Sequence, residues 1–185
     1  MTKIDKAIQF ATKAHAGTCR KGTDRPYILH PVEAMSIVMK FTDDEDVIAA
    51  AVLHDTVEDT GVTEERLEKE FGERVAALVK SVSEDKKADL PAEATWQERK
   101  QTTIEHLKSA SRETKLLCLG DKLANLRDMA SDYDWIGDEL WERFNQKDKA
   151  QHAWYYRGIY EILREEFPGA VELREFAGLL RSVFD

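Results

Sequence analysis

The stretch Ala49-Ala50-Ala51-Val52-Leu53-His54-Asp55-Thr56-Val57-Glu58-Asp59-Thr60 sets small and aliphatic side chains directly before a cluster that could do chemistry. Read as a helix, it places His54, Asp55, Glu58 and Asp59 at i, i+1, i+4 and i+5. At about 100° per residue these four span roughly 140° of one face. Titratable groups on a buried apolar helix must be paired, and a metal cation pairs several at once. Two adjacent ligands cannot fill a coordination sphere, so further donors are required. His30 follows Tyr27-Ile28-Leu29 and opens a helix, where its ring could point inward. Asp121 ends the apolar run Leu116-Leu117-Cys118-Leu119-Gly120, with Asn125 one turn later on the same face. Two imidazole nitrogens and two carboxylates make a borderline-hard site suited to Mn²⁺, Fe²⁺ or Zn²⁺. Such a site leaves positions for water and a phosphate oxygen.

Each of these residues has a plainer reading. His54-Asp55 could be a buried hydrogen-bonded pair, His30 a helix cap, and Asp121 a surface partner of Lys122 or Arg127. The neighbouring Glu58 and Asp59, and the apolar residues ahead of Asp121, favour the metal reading. For His30 the residues alone leave cap and ligand open. His15 reads as a structural hydrogen-bonding residue, and His106 and His152 as surface or packing residues. Trp135, Trp141, Phe144, Trp154 and Tyr156 read as core aromatics rather than a base-stacking platform.

The elements that must position the candidates are helical. Ile4, Ala7, Ile8, Ala11 and Ala14 recur at helical spacing, with Gly17 as a stop. Arg20-Lys21-Gly22-Thr23-Asp24-Arg25-Pro26 is a basic, breaker-rich loop. Pro31 suits the first turn of a helix reaching about Lys40. Thr42 or Asp43 is the expected cap of the helix that carries the 49–60 stretch. Thr63 caps a short helix closed by Gly72, and Val75 to Val82 mark another. Residues 83–94 read as a mobile loop. Helices follow over about 95–107 and 111–129, then a loop over 131–137, two helices over 138–167, and a last one after Pro168-Gly169. No strand shows period-2 alternation, so the expectation is an all-α fold of about eight to ten helices, one domain over residues 1–185.

Composition limits the partners. The chain has 185 residues, 42% hydrophobic and 34% charged, enough for a substantial core without staples. A net charge of −9 with no Lys/Arg stripe argues against duplex DNA or long RNA. Neither a secretory signal nor a membrane-length apolar run is evident. Cys19 and Cys118 lack metal-ligand spacing and read as reduced thiols, so a cytoplasmic location is expected. Oligomeric state is not legible.

His30, His54-Asp55 and Asp121 reproduce the H…HD…D pattern of HD-domain metal-dependent phosphohydrolases. The resemblance narrows further. Ala14-His15 with Arg20-Lys21, the blocks from Pro26 to Pro31 and from Leu53 to Thr60, and Gly120-Asp121-Lys122-Leu123-Ala124-Asn125-Leu126-Arg127 fall in the order of one subfamily. The chain resembles the RelA/SpoT-type (p)ppGpp hydrolase domain, in its small stand-alone form. That resemblance implies one divalent ion, usually Mn²⁺, held by His30, His54, Asp55 and Asp121. It implies water activated by that ion attacking the 3′-pyrophosphate of guanosine tetra- or pentaphosphate, releasing pyrophosphate and leaving GDP or GTP. Glu58 and Asp59 would be the catalytic pair, taking the water's proton or holding it in line. Arg20 and Lys21 would meet purine and phosphate, and Asn125 ribose or phosphate.

Three residues depart from the pattern of the long bifunctional members. Gly120 stands where those have Ala, Lys122 where they have Arg, and Ala124 where they have His or Tyr. Ala124 could enlarge the nucleotide pocket, which keeps open an HD-type phosphatase or phosphodiesterase of another nucleotide.

Overall fold

The computed structural model describes residues 1–84 and 91–185. Within them the chain is all-α: α1 (Lys3–Ala14), α2 (Leu29–Val38), α3 (Glu45–Leu53), α4 (Thr56–Asp59), α5 (Glu64–Phe71), α6 (Glu73–Val82), α7 (Ala92–Ser109), α8 (Arg112–Ile136), α9 (Lys149–Glu166) and α10 (Val171–Phe184), with a 3₁₀ turn over Gly137–Arg143. Among the described residues the β pairing is a single antiparallel bridge, Cys19 to Pro26. Two compact units form. The first holds Met1–Ser83 and Leu116–Ala124, the second Glu84–Lys115 and Asn125–Asp185.

α3 is the centre of the first unit. Its residues from Val47 to Leu53 are all buried, and it packs against α1, α2 and α6. Fully burying a Val, Ile or Leu is worth about 1.5–3 kcal/mol, so α3 anchors whatever its end carries. Ala49, Ala50 and Ala51 add little area, but their small size lets neighbouring helices come close. The helix starts at Asp44, whose carboxylate accepts the Asp46 N–H at 2.9 Å. Thr42, one of the expected caps, instead accepts the Asp44 N–H at 3.1 Å. Thr63 caps α5 as expected, and Gly72 at φ 94° makes the turn into α6.

α2 and α8 meet through a glycine. A Cβ on Gly120 would lie 2.8 Å from both the Ala34 carbonyl oxygen and Val38 Cγ2. Replacing Gly120 with Ala is therefore expected to destabilise the protein despite the better helix propensity of alanine. Overpacking costs about 1–3 kcal/mol, against at most about 1 kcal/mol regained in the helix. Thermal denaturation would read this. The further change Val38→Ala should recover only part of the loss, because the Ala34 carbonyl belongs to the backbone.

In the second unit α9 packs against α7 and α10. Its core holds Trp96, Trp141, Tyr155, Tyr156 and Phe176. His152 is buried there, its ring 5.2 Å from Trp141 and 5.1 Å from Phe144. Trp135 departs from the packing role expected of it: it is 87% exposed.

Two boundaries also differ. α8 continues to Ile136 through the expected loop, held by Asp132 with Arg143 at 2.8 Å and Tyr133 with Lys149 at 3.1 Å. Gly137, at φ 57°, then ends it. Of the loop expected over 83–94, residues 85–90 lie outside the described residues, and α7 already begins at Ala92, behind Pro91.

Candidate active site

The helix expected to carry the whole 49–60 stretch is broken in the middle. α3 stops at Leu53, His54 is its C-cap, and the single turn α4 restarts at Thr56. Side chains take the carbonyls the helical ladder would use: His54 Nδ1 lies 2.8 Å from the Ala51 oxygen, and Thr56 Oγ1 donates to the Leu53 oxygen at 2.7 Å. Asp55, at φ −92° and ψ −4°, falls in the sparsely populated bridge region. The break turns His54 and Asp55 toward one point, with Nε2 and Oδ2 3.2 Å apart.

The other two donors arrive on separate helices. His30 is the second residue of α2 and its ring is buried. Its Nε2 lies 3.5 Å from Asp55 Oδ2 and 3.3 Å from Asp121 Oδ1. Asp121, on α8 beside Gly120, also has Oδ1 3.7 Å from His54 Nε2. Ligand atoms of His30, His54 and Asp121 all fall within 4.8 Å of one another. Bonds of about 2.0–2.2 Å to one ion put neighbouring donors about 3.0–3.5 Å apart, so the spacing fits a divalent cation.

The tautomer supports the same conclusion. With its Nδ1 proton given to Ala51, His54 presents a lone pair at Nε2, a buried atom without a hydrogen-bond partner. A lone pair facing two carboxylates requires a cation between them, either a metal or a proton.

Charge balance follows from that. Burial pushes the His54 imidazolium down, but Asp55 and Asp121 outweigh it and hold the ring well above the ordinary histidine value. Burial would raise Asp55, yet His54 and His30 keep it well below the usual carboxylate range. Asp121 is also held well below, against burial, by Lys122 and the two imidazoles. Lys122 pairs with the outer oxygen, Oδ2, at 2.5 Å, leaving Oδ1 for the cluster.

Tyr27, three residues before His30, belongs to the candidate site although its sequence position alone gives it no role. Its hydroxyl lies 2.7 Å from Asp55 Oδ2 and 2.7 Å from Asp59 Oδ2. Burial, and then the Asp55 and Asp59 charges, push the phenol far up, so it stays a donor. His15 is buried and stacks on it, centroids 4.8 Å apart and planes at 24°. Burial lowers the His15 ring against the pull of Asp55 and Asp59. The available signal was a tyrosine three residues before the histidine that opens a helix.

The remaining candidates are placed unevenly. Asp59 is drawn to Asp55 through Tyr27, whereas Glu58 is half-buried on α4. Arg20 stands over the Tyr27 ring, 5.6 Å from its centroid. Lys21 is exposed at the tip of the loop closed by the Cys19–Pro26 bridge. Asn125 falls one turn beyond Asp121 on α8 and is half-buried. Ala124 is fully buried.

Comparison with known proteins agrees with this geometry. Residues 7–146 match the HD domain family. The guanosine-3′,5′-bis(diphosphate) 3′-pyrophosphohydrolase MESH1 of Danio rerio is 38% identical over 144 residues, covering 75% of this chain and 77% of its own. The Homo sapiens MESH1 is 39% identical over 127 residues, covering 67% and 68%. A solved structure of a metazoan SpoT orthologue that hydrolyses ppGpp superposes with a TM-score of 0.76 at 31% identity, covering 98% of this chain and 95% of that one. The chain belongs to the HD-domain family, in the group that holds the MESH1 3′-pyrophosphohydrolases.

Proposed function

We propose that the protein is a metal-dependent hydrolase that removes the 3′-pyrophosphate of guanosine tetra- and pentaphosphate. The observation that carries this reading is the approach of His30 Nε2 and His54 Nε2 to both Asp55 Oδ2 and Asp121 Oδ1, with an acidic residue tied to Asp55 through Tyr27. A divalent ion held by those four residues, which we assign as Mn²⁺ although Fe²⁺ and Zn²⁺ suit the donors too, would supply Lewis acidity and make hydroxide available near neutral pH.

The chain's own residues do the rest. Of the acidic pair, either Glu58 or Asp59 takes the proton of the attacking water or holds that water in line as its oxygen bonds to the phosphorus next to O3′. The O3′–P bond breaks, O3′ gains a proton, and pyrophosphate leaves. Arg20 meets the purine face and Lys21 a phosphate, while Asn125 hydrogen-bonds ribose or phosphate. A small anionic substrate suits a chain with a net charge of −9 because only a few local cations are needed. No described helix is long and apolar enough to cross a membrane. The free cysteines Cys19 and Cys118 support a reducing, cytoplasmic setting, and residues 1–185 serve as one catalytic domain in this reading.

The test is pyrophosphate release from ppGpp and from a panel of nucleotides by Mn²⁺-loaded protein. Turnover of ppGpp, lost with a chelator, is the expected result. Absence of ppGpp turnover overturns the reading. Faster hydrolysis of a nucleotide lacking the 3′-pyrophosphate moves the protein to a general HD phosphatase or phosphodiesterase.

A further inference from the structure

We propose that Tyr27 is the positioning residue of this reaction: its hydroxyl holds Asp59 against the Asp55 oxygen that faces the imidazoles. This rests on the hydrolase reading above and adds the element that fixes one member of the acidic pair.

The geometry is specific. Asp55 Oδ2 accepts from Tyr27 at 2.7 Å and lies 3.2 Å from His54 Nε2 and 3.5 Å from His30 Nε2. Asp59 Oδ2 lies 2.7 Å from the same hydroxyl. A phenol has one proton, so it serves one of the two carboxylates at a time. When a cation draws the Asp55 lone pairs, the proton is left for Asp59. Loading the site and fixing Asp59 are then one event, although Asp59 is itself exposed at the end of the single turn α4.

The ring is built to stay in place. His15, the C-cap of α1, stacks on one side, and Arg20 stands over the ring. The His30 ring meets Tyr27 edge-on, with centroids 6.0 Å apart. The Tyr27 N–H donates to the Thr18 oxygen at 2.9 Å. Three segments, from α1, from the loop after it and from α2, therefore fix where the hydroxyl points. A tyrosine present only for packing would not need its oxygen in reach of two carboxylates.

Tyr27→Phe keeps the ring stack and removes only the oxygen. In the loaded enzyme its kcat for ppGpp is expected to fall about 10–100-fold, the usual size for loss of an outer partner at a metal site, with KM nearly unchanged. Mn²⁺ affinity measured by calorimetry without substrate should stay near wild type. A crystal structure of the Mn²⁺-loaded variant should show Asp59 displaced. In an Asp59→Ala background the same change should cost nothing further, because coupled residues are non-additive.

Wild-type kcat in Tyr27→Phe, an undisplaced Asp59, full additivity with Asp59→Ala, or a loss explained by weaker Mn²⁺ binding would each overturn the proposal. Failure of the wild type to hydrolyse ppGpp condemns the hydrolase reading instead, so the two failures are distinguishable.

Discussion

Replacing Asp121 with Asn is expected to abolish turnover, well beyond the roughly 10–100-fold cost of losing an outer partner of a metal ligand. The substitution preserves shape and volume but removes the charge on the oxygen that faces both imidazoles, at 3.3 and 3.7 Å. It also weakens the partner of Lys122, a half-buried cation that would be left facing the site. Bound metal should drop below one ion per chain, measured by elemental analysis after dialysis. Asp59→Asn and Glu58→Gln make the contrast. Both should keep a full complement of metal while losing about 10²–10⁴-fold in kcat, the range of a general acid or base. Glu142→Gln, which removes one member of an exposed pair with Lys147, should change neither quantity. If Asp121→Asn binds a full equivalent of metal and turns over normally, the four-donor assignment falls.

This contrast would separate a ligand half from a catalytic half of the 49–60 stretch, proposed to lie on either side of the break between α3 and α4. Much of the site was legible because it rests on residue type and order. His30, His54-Asp55 and Asp121 are ionisable residues embedded in apolar runs, and burial leaves such groups few alternatives to convergence. The helices around them were legible from periodicity and caps, as with Thr63 and Gly72.

What escaped depends on long-range contact or on local competition for hydrogen bonds. The break at His54-Asp55 is invisible to periodicity, since it arises when His54 and Thr56 side chains capture the Ala51 and Leu53 carbonyls. Tyr27 reaches its carboxylates across 28 and 32 residues of sequence, a contact that its place three residues before His30 does not reveal. Residues 131–136 look like a loop by composition, yet partners at positions 138, 143 and 149 keep them helical. Gly120 looked like a departure from a family pattern; its reason is the 2.8 Å approach to Ala34, which only the packing of α2 and α8 could reveal.

Chelation is expected to lower the melting temperature weakly near pH 6 and progressively more as pH rises through the folded value of His54. At free Mn²⁺ a thousandfold above Kd, binding contributes about 4 kcal/mol of stability. For a chain of this length that corresponds to about 8–16 °C. The pH dependence follows from which cation occupies the cluster. His54 is raised in the folded protein, so its contribution is fully present below about pH 6.5 and is lost as pH rises through the folded value. Asp55 and Asp121 are depressed, so theirs is present above about pH 4 and lost only as pH falls through their folded values. Between about pH 4 and 6.5 the metal-free cluster is therefore balanced by a proton on His54, and the ion must displace that proton to bind. As pH rises through the folded His54 value the proton leaves, the two carboxylates face a bare lone pair, and the ion becomes the main source of compensation. Melting curves from pH 5 to 9, with Mn²⁺ and with a chelator, should diverge as pH rises, chiefly because the chelated protein loses stability. A gap that is constant over this range would mean that proton and metal do not compete for His54, and that the tautomer inferred from Ala51 is wrong.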